Sequence, residues 1–144
     1  MREILFRGKE LDCGDWVEGY LIRNDSICYP ALFIGMIEAS RTRYGELSID
    51  GHYLPQVDPD TVGQYTGLKD KNGKRIFEGD IVMFLDYTEP AFVVWDQEDA
   101  RWYMHYSDCM LDFSYRCVPS AIEVIGNVHD HPELIAEVNR NVDQ

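Results

Sequence analysis

The sequence lacks the long apolar runs and the cysteine motifs that would place a protein in a membrane or in an oxidising compartment. In 144 residues no apolar run approaches the ~20 residues that a membrane-spanning helix requires. The four cysteines form no C-x-x-C pair, and no signal peptide is recognisable around the brief run Ile4-Leu5-Phe6. We therefore expect a cytoplasmic protein with reduced thiols and no membrane contact.

Basic side chains are scarce, above all in the second half of the chain. The sequence holds 13 Lys and Arg against 26 Asp and Glu, a net charge of −13. Residues 1–75 carry 10 basic and 12 acidic side chains, whereas residues 76–144 carry 3 and 14, a net charge of −11. A negative field of this size attracts cationic partners and repels phosphate backbones, which disfavours nucleic acid as a partner.

Recognisable catalytic motifs are also missing. There is no G-x-S-x-G elbow and no glycine-rich phosphate-binding loop. Paired acids such as Asp58 and Asp60 flank a proline and are explained as turn and cap residues. The sharpest metal-site hypothesis uses six residues whose spacing does not match a zinc site: His105, Asp108, Cys109, Cys117, His129 and His131. We predict no catalytic residue, no metal and no cofactor.

Short segments with strand propensity, separated by turn residues, fill most of the chain. The predicted strands are residues 2–7, 16–22, 27–34, 53–57, 81–87, 91–95, 102–106 and 121–128. We predict a mainly β protein in two parts. Residues 1–61 form an N-terminal β-hairpin and sheet region, and residues 62–144 form a hairpin, an SH3-like barrel and a short C-terminal helix. We expect the two parts to pack as one compact unit.

Three further segments receive local predictions. The polar, glycine-punctuated residues 38–52 predict an irregular loop with at most one short strand, at residues 47–49. Pro59 between two aspartates predicts a turn or a single helical turn. Pro132 followed by Glu133 predicts the start of the short helix, because proline suits the first helical position and an acid complements the positive helix end.

Residues 62–82 concentrate turn, strand and charge signals. Asn72-Gly73 is typical of a type I′ turn and predicts a β-hairpin. Its arms and tip carry the one basic cluster of the chain: Lys69, Lys71, Lys74 and Arg75. We interpret these residues as a candidate interaction surface for an acidic protein, including the acidic half of a second copy, so a homo-oligomer is expected.

A second candidate surface lies in the acidic half. Asp96, Glu98 and Asp99 form an acidic turn, and Tyr103 follows on the next predicted strand. If that tyrosine is exposed beside the acids, together they make an aromatic and acidic surface suited to a basic partner. If Tyr106 and Tyr115 are also exposed, they extend the same aromatic and acidic surface. The three tryptophans are predicted to be core residues, because buried aromatics dominate the interiors of small β domains.

Three parts of the sequence resemble the YopX family of bacteriophage and prophage proteins of Gram-positive bacteria. They are residues 1–9, residues 57–70 with Glu-Gly-Asp-Ile-Val at 78–82, and residues 123–128 with His-Pro-Glu-Leu at 131–134. The resemblance implies a mostly β protein with an SH3-like barrel and a phage or prophage origin. It implies no catalytic residue, since the family has no established activity.

Together these observations favour a phage- or prophage-encoded, non-enzymatic binding or accessory protein that contacts a phage or host protein in the host cytoplasm. Three alternatives stay open. The acidic half could imitate DNA and inhibit a nucleic-acid-binding protein. The barrel and the basic hairpin could bind nucleic acid directly. The chain could also be a hydrolase whose metal or carboxylate site is assembled across strands.

Overall fold

The computed structural model describes residues 2–26, 30–51, 53–84, 87–114 and 118–136. Within these ranges the chain forms antiparallel strands joined by turns and short helices, which confirms the prediction of a mainly β protein. The chain consists of two compact units, Met1–Gln64 (unit 1) and Tyr65–Gln144 (unit 2). None of the described helices is long and apolar enough to cross a membrane.

Unit 1 is an antiparallel sheet with a separate hairpin. Its strands are β1 (Phe6–Lys9), β2 (Trp16–Asn24), β3 (Ala31–Gly35), β4 (Ile37–Arg41), β5 (Leu47–Gly51) and β6 (Gln56–Val57), and a 3-10 helix follows at Pro59–Thr61. Strands β1, β2, β3 and β6 pair in that order, while β4 pairs only with β5. Ile34 and Val57 are fully buried. Gly8 allows this packing, because a Cβ at that position would lie 3.1 Å from the Val57 Cβ.

The short strand β6 is bonded on both of its sides. Besides its pairing with β3, the Leu11 N–H donates to the Gln56 carbonyl at 3.0 Å and the Asp58 N–H donates to the Lys9 carbonyl at 2.8 Å. Asp58 then caps the 3-10 helix, since its Oδ1 accepts from the Asp60 N–H at 3.0 Å. The predicted helical turn at Pro59 is therefore confirmed.

The prediction of an irregular loop at residues 38–52 is wrong, although the one short strand that it allowed, at residues 47–49, lies within β5. Strands β4 and β5 pair from Ile37 with Gly51 through to Arg41 with Leu47. Their connecting turn is closed by the Thr42 N–H, which donates to the Glu46 carbonyl at 2.7 Å. Both segments alternate apolar and polar residues, at Ile37-Glu38-Ala39-Ser40 and at Leu47-Ser48-Ile49-Asp50, but each alternation is short and the polar residues and Gly45 between them favour a loop.

Strand β7 (Gly63–Lys69) runs through the boundary between the units. Its first two residues pair with Phe6 and Arg7 of β1 inside unit 1. Within unit 2, Tyr65 pairs with Phe77 and Lys69 with Arg75 of strand β8 (Arg75–Phe77). The predicted hairpin in this region is confirmed.

The rest of unit 2 is built on five further antiparallel strands. They are β9 (Asp80–Phe84), β10 (Ala91–Asp96), β11 (Arg101–His105), β12 (Met110–Asp112) and β13 (Ile122–Asn127), with a short helix α1 (Val118–Ala121) before β13 and a 3-10 helix at Pro132–Ile135. The order across the sheet is β12-β11-β10-β9-β13. Alternate residues of these strands, including Val82, Val93 and Met104, form the buried core on one face. Ile81 and Ile135 pack together in a second buried cluster.

Four predicted strands correspond to β9, β10, β11 and β13, with end points that differ by at most three residues. Strand β12 was not predicted, because three residues are too few for a periodic pattern. The helix predicted from Pro132 begins there as a 3-10 helix, and residues 137–144 lie outside the described residues. Among the described residues no ladder joins β12 to β13, so the sheet is open and a closed SH3-like barrel is not observed.

Candidate functional site

The loop at the tip of the β7–β8 hairpin is held by the carboxylate of Asp70, which is 6% exposed. Its Oδ1 accepts hydrogen bonds from the N–H groups of Asn72 and Lys74, both at 2.9 Å. Its Oδ2 accepts from the N–H of Val124 at 3.0 Å. The Lys71 N–H adds a bond to the carbonyl of Ile122 at 2.9 Å. The predicted basic surface is therefore fixed against β13.

The type I′ turn predicted at Asn72-Gly73 is not the turn that forms. Only Gly73 has a left-handed backbone conformation, with a φ of 79°, and its N–H donates to the Asp70 carbonyl at 3.0 Å. The Asp70 N–H in turn donates to the Lys74 carbonyl at 2.8 Å, which closes a three-residue loop. The Asp70 carboxylate selects this loop because it binds the Asn72 and Lys74 N–H groups together.

The four predicted basic residues share this hairpin, and two of them are engaged within unit 2. The Lys71 ammonium lies 3.1 Å from the Glu123 carboxylate. The half-buried Arg75 guanidinium lies 5.7 Å from the centre of the Tyr65 ring. Lys69 and Lys74 are exposed. The basic cluster thus offers less charge to a partner than the sequence indicates.

The acidic candidate residues meet at the turn between β10 and β11. Asp96 shapes the turn, because its Oδ1 accepts from the N–H groups of Glu98 at 2.9 Å and Asp99 at 3.1 Å. Ala100 completes the turn in a left-handed conformation, with a φ of 52°. The Tyr103 hydroxyl donates to Asp99 Oδ2 at 2.7 Å, and this bond raises the pKa of Tyr103. The structure therefore brings all four predicted acidic-surface residues together.

Trp95 adds an aromatic side chain to this turn. It is 40% exposed, so its prediction as a core residue is wrong. Its ring packs edge-to-face on Trp102 at a centroid distance of 4.9 Å, and its Nε1 donates to Gln97 Oε1 at 3.0 Å. It lies on the core-facing side of β10, but it is one residue from the strand end, where the core no longer covers it. Sequence reasoning missed it because the residue type alone indicates burial.

We call Trp95, Asp96, Glu98, Asp99 and Tyr103 the acidic turn surface. Its three carboxylates lie within four residues of chain, and Glu98 and Asp99 are exposed. Arg101, the basic residue nearest to this turn in the sequence, is paired with Asp112 at 3.1 Å. Carboxylates attract cations through their charge, and an exposed indole attracts them through its ring electrons. The arrangement is suited to a cationic side chain of a partner.

The other predicted aromatic and metal candidates that lie in the described ranges are not brought together in one site. Tyr106 is buried against Tyr87, and burial raises its pKa to about 12, so it is not part of an exposed surface. His131 accepts through its Nδ1 from the Asn127 N–H at 3.3 Å. In the described part of the chain no group of three or more His, Cys, Asp or Glu residues could hold a metal ion. Tyr115 and Cys117 lie outside the described residues.

Two of three comparisons with known proteins give a match. A family model described as "YopX protein" matches residues 5–136. Comparison with curated proteins gives no match. Among solved structures, the chain is similar to the crystal structure of protein EF1440 from Enterococcus faecalis, with 25% sequence identity and a TM-score of 0.62. The similarity covers 94% of this chain and 99% of that one.

Proposed function

The chain belongs to the YopX family, and on that premise we propose that it is a phage- or prophage-encoded, non-enzymatic protein that binds a phage or host protein in the bacterial cytoplasm. The family match extends over the main body of the chain and confirms the resemblance found in the sequence motifs. The binding role is supported by the acidic turn surface, which carries exposed carboxylates and an exposed tryptophan at the turn between β10 and β11.

One observation carries this proposal: Trp95 is 40% exposed at the end of β10, and the exposed residues Glu98 and Asp99 follow it in the same turn. An exposed tryptophan leaves a large apolar surface in water, and tryptophan is enriched among residues that dominate binding energy at protein interfaces. Residues 76–144 carry a net charge of −11, which steers cationic partners towards unit 2. The proposed partner therefore contacts this surface through Lys or Arg side chains.

The finer fold proposed for unit 2 is an open form of an SH3-like barrel. Two features support it. Four strands from β9 to β12 follow one another as an antiparallel meander, and β13 returns beside β9, so the last strand neighbours the first. A short helix, Val118–Ala121, precedes that last strand. Such barrels hold binding residues in the turns between strands, which is where the acidic turn surface lies.

We further propose that the chain forms a homo-oligomer. Lys69 and Lys74 are exposed on one hairpin and the acidic turn surface is exposed on another, so charge complementarity between copies is available. Light scattering as a function of salt tests this point. An assembly that dissociates as ionic strength rises supports it, and a monomer at low salt contradicts it.

The acidic turn surface also favours a second candidate function, imitation of DNA charge towards a nucleic-acid-binding protein. The supporting observation is the exposure of Glu98 and Asp99 within a strongly acidic half. A captured partner that binds duplex DNA, and that DNA displaces from this chain, would select this function over general protein binding.

Affinity purification with mass spectrometry tests the main proposal. The full chain is used as bait in lysates of a bacterium that carries the parent prophage, before and after induction. We expect one or a few proteins to be enriched reproducibly at physiological salt and depleted at high salt. Recovery of no protein other than the chain itself would contradict the proposal.

A further inference from the structure

Unit 1 contains a cavity that the proposed function does not use. Its volume is about 340 Å³, near the lower end of the ~300–1,000 Å³ typical of small-molecule pockets. Its floor is formed by Ala31, Leu32 and Val57. Two prolines contribute to its walls, and its rim carries Arg23, Asn24 and Gln56.

The cavity follows from the way the β3–β6 ladder ends. Strand β6 is only two residues long, and its last pair joins Val57 to Leu32. The chain then leaves the ladder and enters the 3-10 helix at Pro59, a residue that has no N–H to continue the pairing. Ala31 lies one residue beyond the last pair, so no residue of β6 pairs with it, and it lines the cavity. The gap is thus built into the register of the sheet.

The lining combines an apolar floor with a cationic and amide rim. Val57 is fully buried, and Ala31 and Leu32 are half-buried. None of the described lining residues is acidic, although the chain as a whole carries a charge of −13. Arg23 pairs with Asp25, but both side chains are more than 70% exposed. An ion pair that exposed adds little stability, so the guanidinium can turn to a ligand.

We propose that this cavity binds small carboxylic acids with an apolar body. The apolar body lies on Leu32 and the two prolines of the lining, where it is removed from water. The carboxylate accepts hydrogen bonds from the Arg23 guanidinium, which suits a planar anion because its donors form a rigid fork. This inference goes beyond the proposed function and does not depend on it, since the cavity and the acidic turn surface belong to different units.

The test compares two probes that share an apolar chain and differ in charge, octanoate and octylamine. Each is titrated into the full-length, isotope-labelled chain while backbone amide signals are followed by NMR. We expect saturable shifts at Ala31, Leu32 and Val57 with octanoate. Octanoate should bind about tenfold more tightly than octylamine, the factor expected of one charge-assisted hydrogen bond. Equal affinity for both probes, or no saturation with octanoate, would overturn the proposal.

Two variants assign the binding to the cavity. Arg23→Gln should remove the preference for octanoate, whereas Arg41→Gln, which changes an exposed arginine of unit 1 outside the cavity, should keep it. Ala31→Phe fills the cavity and should abolish the shifts in a chain whose circular dichroism is unchanged. If that variant fails to fold, the two arginine variants decide the question. A preference for octanoate that survives Arg23→Gln contradicts the proposal.

Discussion

The carboxylate of Asp70 accepts a hydrogen bond from the N–H of Val124 at 3.0 Å, and 54 residues of sequence separate the two. The other oxygen of the same carboxylate binds two N–H groups of its own loop. One buried side chain thereby sets the conformation of the β7–β8 loop and ties it to β13. The tip of the basic hairpin is thereby anchored to the sheet of unit 2.

Replacing Asp70 should therefore destabilise unit 2. In Asp70→Ala the N–H groups of Asn72, Lys74 and Val124 lose their acceptor, and we expect a loss of about 2–4 kcal/mol in the free energy of unfolding. Urea denaturation followed by tryptophan fluorescence measures it. Asp108→Ala, which removes an exposed carboxylate of the same unit, should change stability by less than about 0.5 kcal/mol. Similar losses in both variants would contradict this account.

The stabilisation that the Asp70 carboxylate provides should decrease as the pH falls. Burial raises the pKa of its carboxyl, but hydrogen bonds from the N–H groups of Val124, Lys74 and Asn72 outweigh burial and hold the pKa below its ordinary value of 3.8. The folded chain binds this proton less readily than the unfolded chain does. The stabilisation is therefore complete above the unfolded pKa and is lost as the pH falls through the folded pKa.

Wild type and Asp70→Asn should accordingly differ in unfolding free energy by a constant amount between about pH 7 and pH 5. The difference should shrink below about pH 4. Urea denaturation at a series of pH values checks this prediction. A difference that grows on acidification would contradict the assignment of a lowered pKa.

We predict that position 126 must be glycine, because the ring of His131 occupies the space that a Cβ would need. A Cβ at position 126 would lie 2.7 Å from His131 Nδ1 and 2.9 Å from its Cγ, closer than real Cβ atoms approach such neighbours. We expect Gly126→Ala to cost about 1–3 kcal/mol in the wild-type background. In a His131→Ala background the same change should cost about 0.5 kcal/mol or less, as a double-mutant cycle would show. Equal costs in both backgrounds would mean that the ring is not the obstacle.

Removing the Tyr106 hydroxyl should not destabilise the protein. The residue is 1% exposed, and its hydroxyl has no hydrogen-bond partner among the described residues. Tyr106→Phe removes a buried polar group that is not compensated, so we expect a change between zero and about 1 kcal/mol in the stabilising direction. Tyr103→Phe, which loses the bond to Asp99, is the matched comparison. A destabilisation of Tyr106→Phe by about 1 kcal/mol or more would reveal a partner for this hydroxyl.

Local signals predicted much of the fold. Strand β2 begins at Trp16 as predicted, the helical turn lies at Pro59, and the hairpin of β7 and β8 contains Asn72-Gly73. Each of these depends on residues adjacent in sequence, such as a proline that fixes φ or a glycine that tolerates a positive φ. The hairpin of β4 and β5 was missed as a pair because the alternation in each strand covers only about four residues and polar residues with a glycine separate them.

Features that depend on distant residues could not be predicted. The role of Asp70 requires Val124, and its loop type differs from the one that Asn72-Gly73 favours in isolation. The exposure of Trp95 depends on where the core of unit 2 ends, which residue type alone does not indicate. Asp96, Glu98, Asp99 and Tyr103 were identified from sequence because they are close together in it, whereas Trp95 was added to that surface only from the structure.

The most direct test of the proposed binding surface compares two double variants as baits in induced lysates, with recovered protein quantified by mass spectrometry. The double variant Trp95→Ala/Glu98→Gln changes the acidic turn surface. The matched control, Lys69→Gln/Lys74→Gln, changes two exposed residues of the basic hairpin. We expect the first to recover its partner at least about tenfold less than wild type, as for loss of a dominant interface residue. The second should keep the hetero-partner. Undiminished recovery by Trp95→Ala/Glu98→Gln, or a loss confined to the lysine variant, would contradict the account.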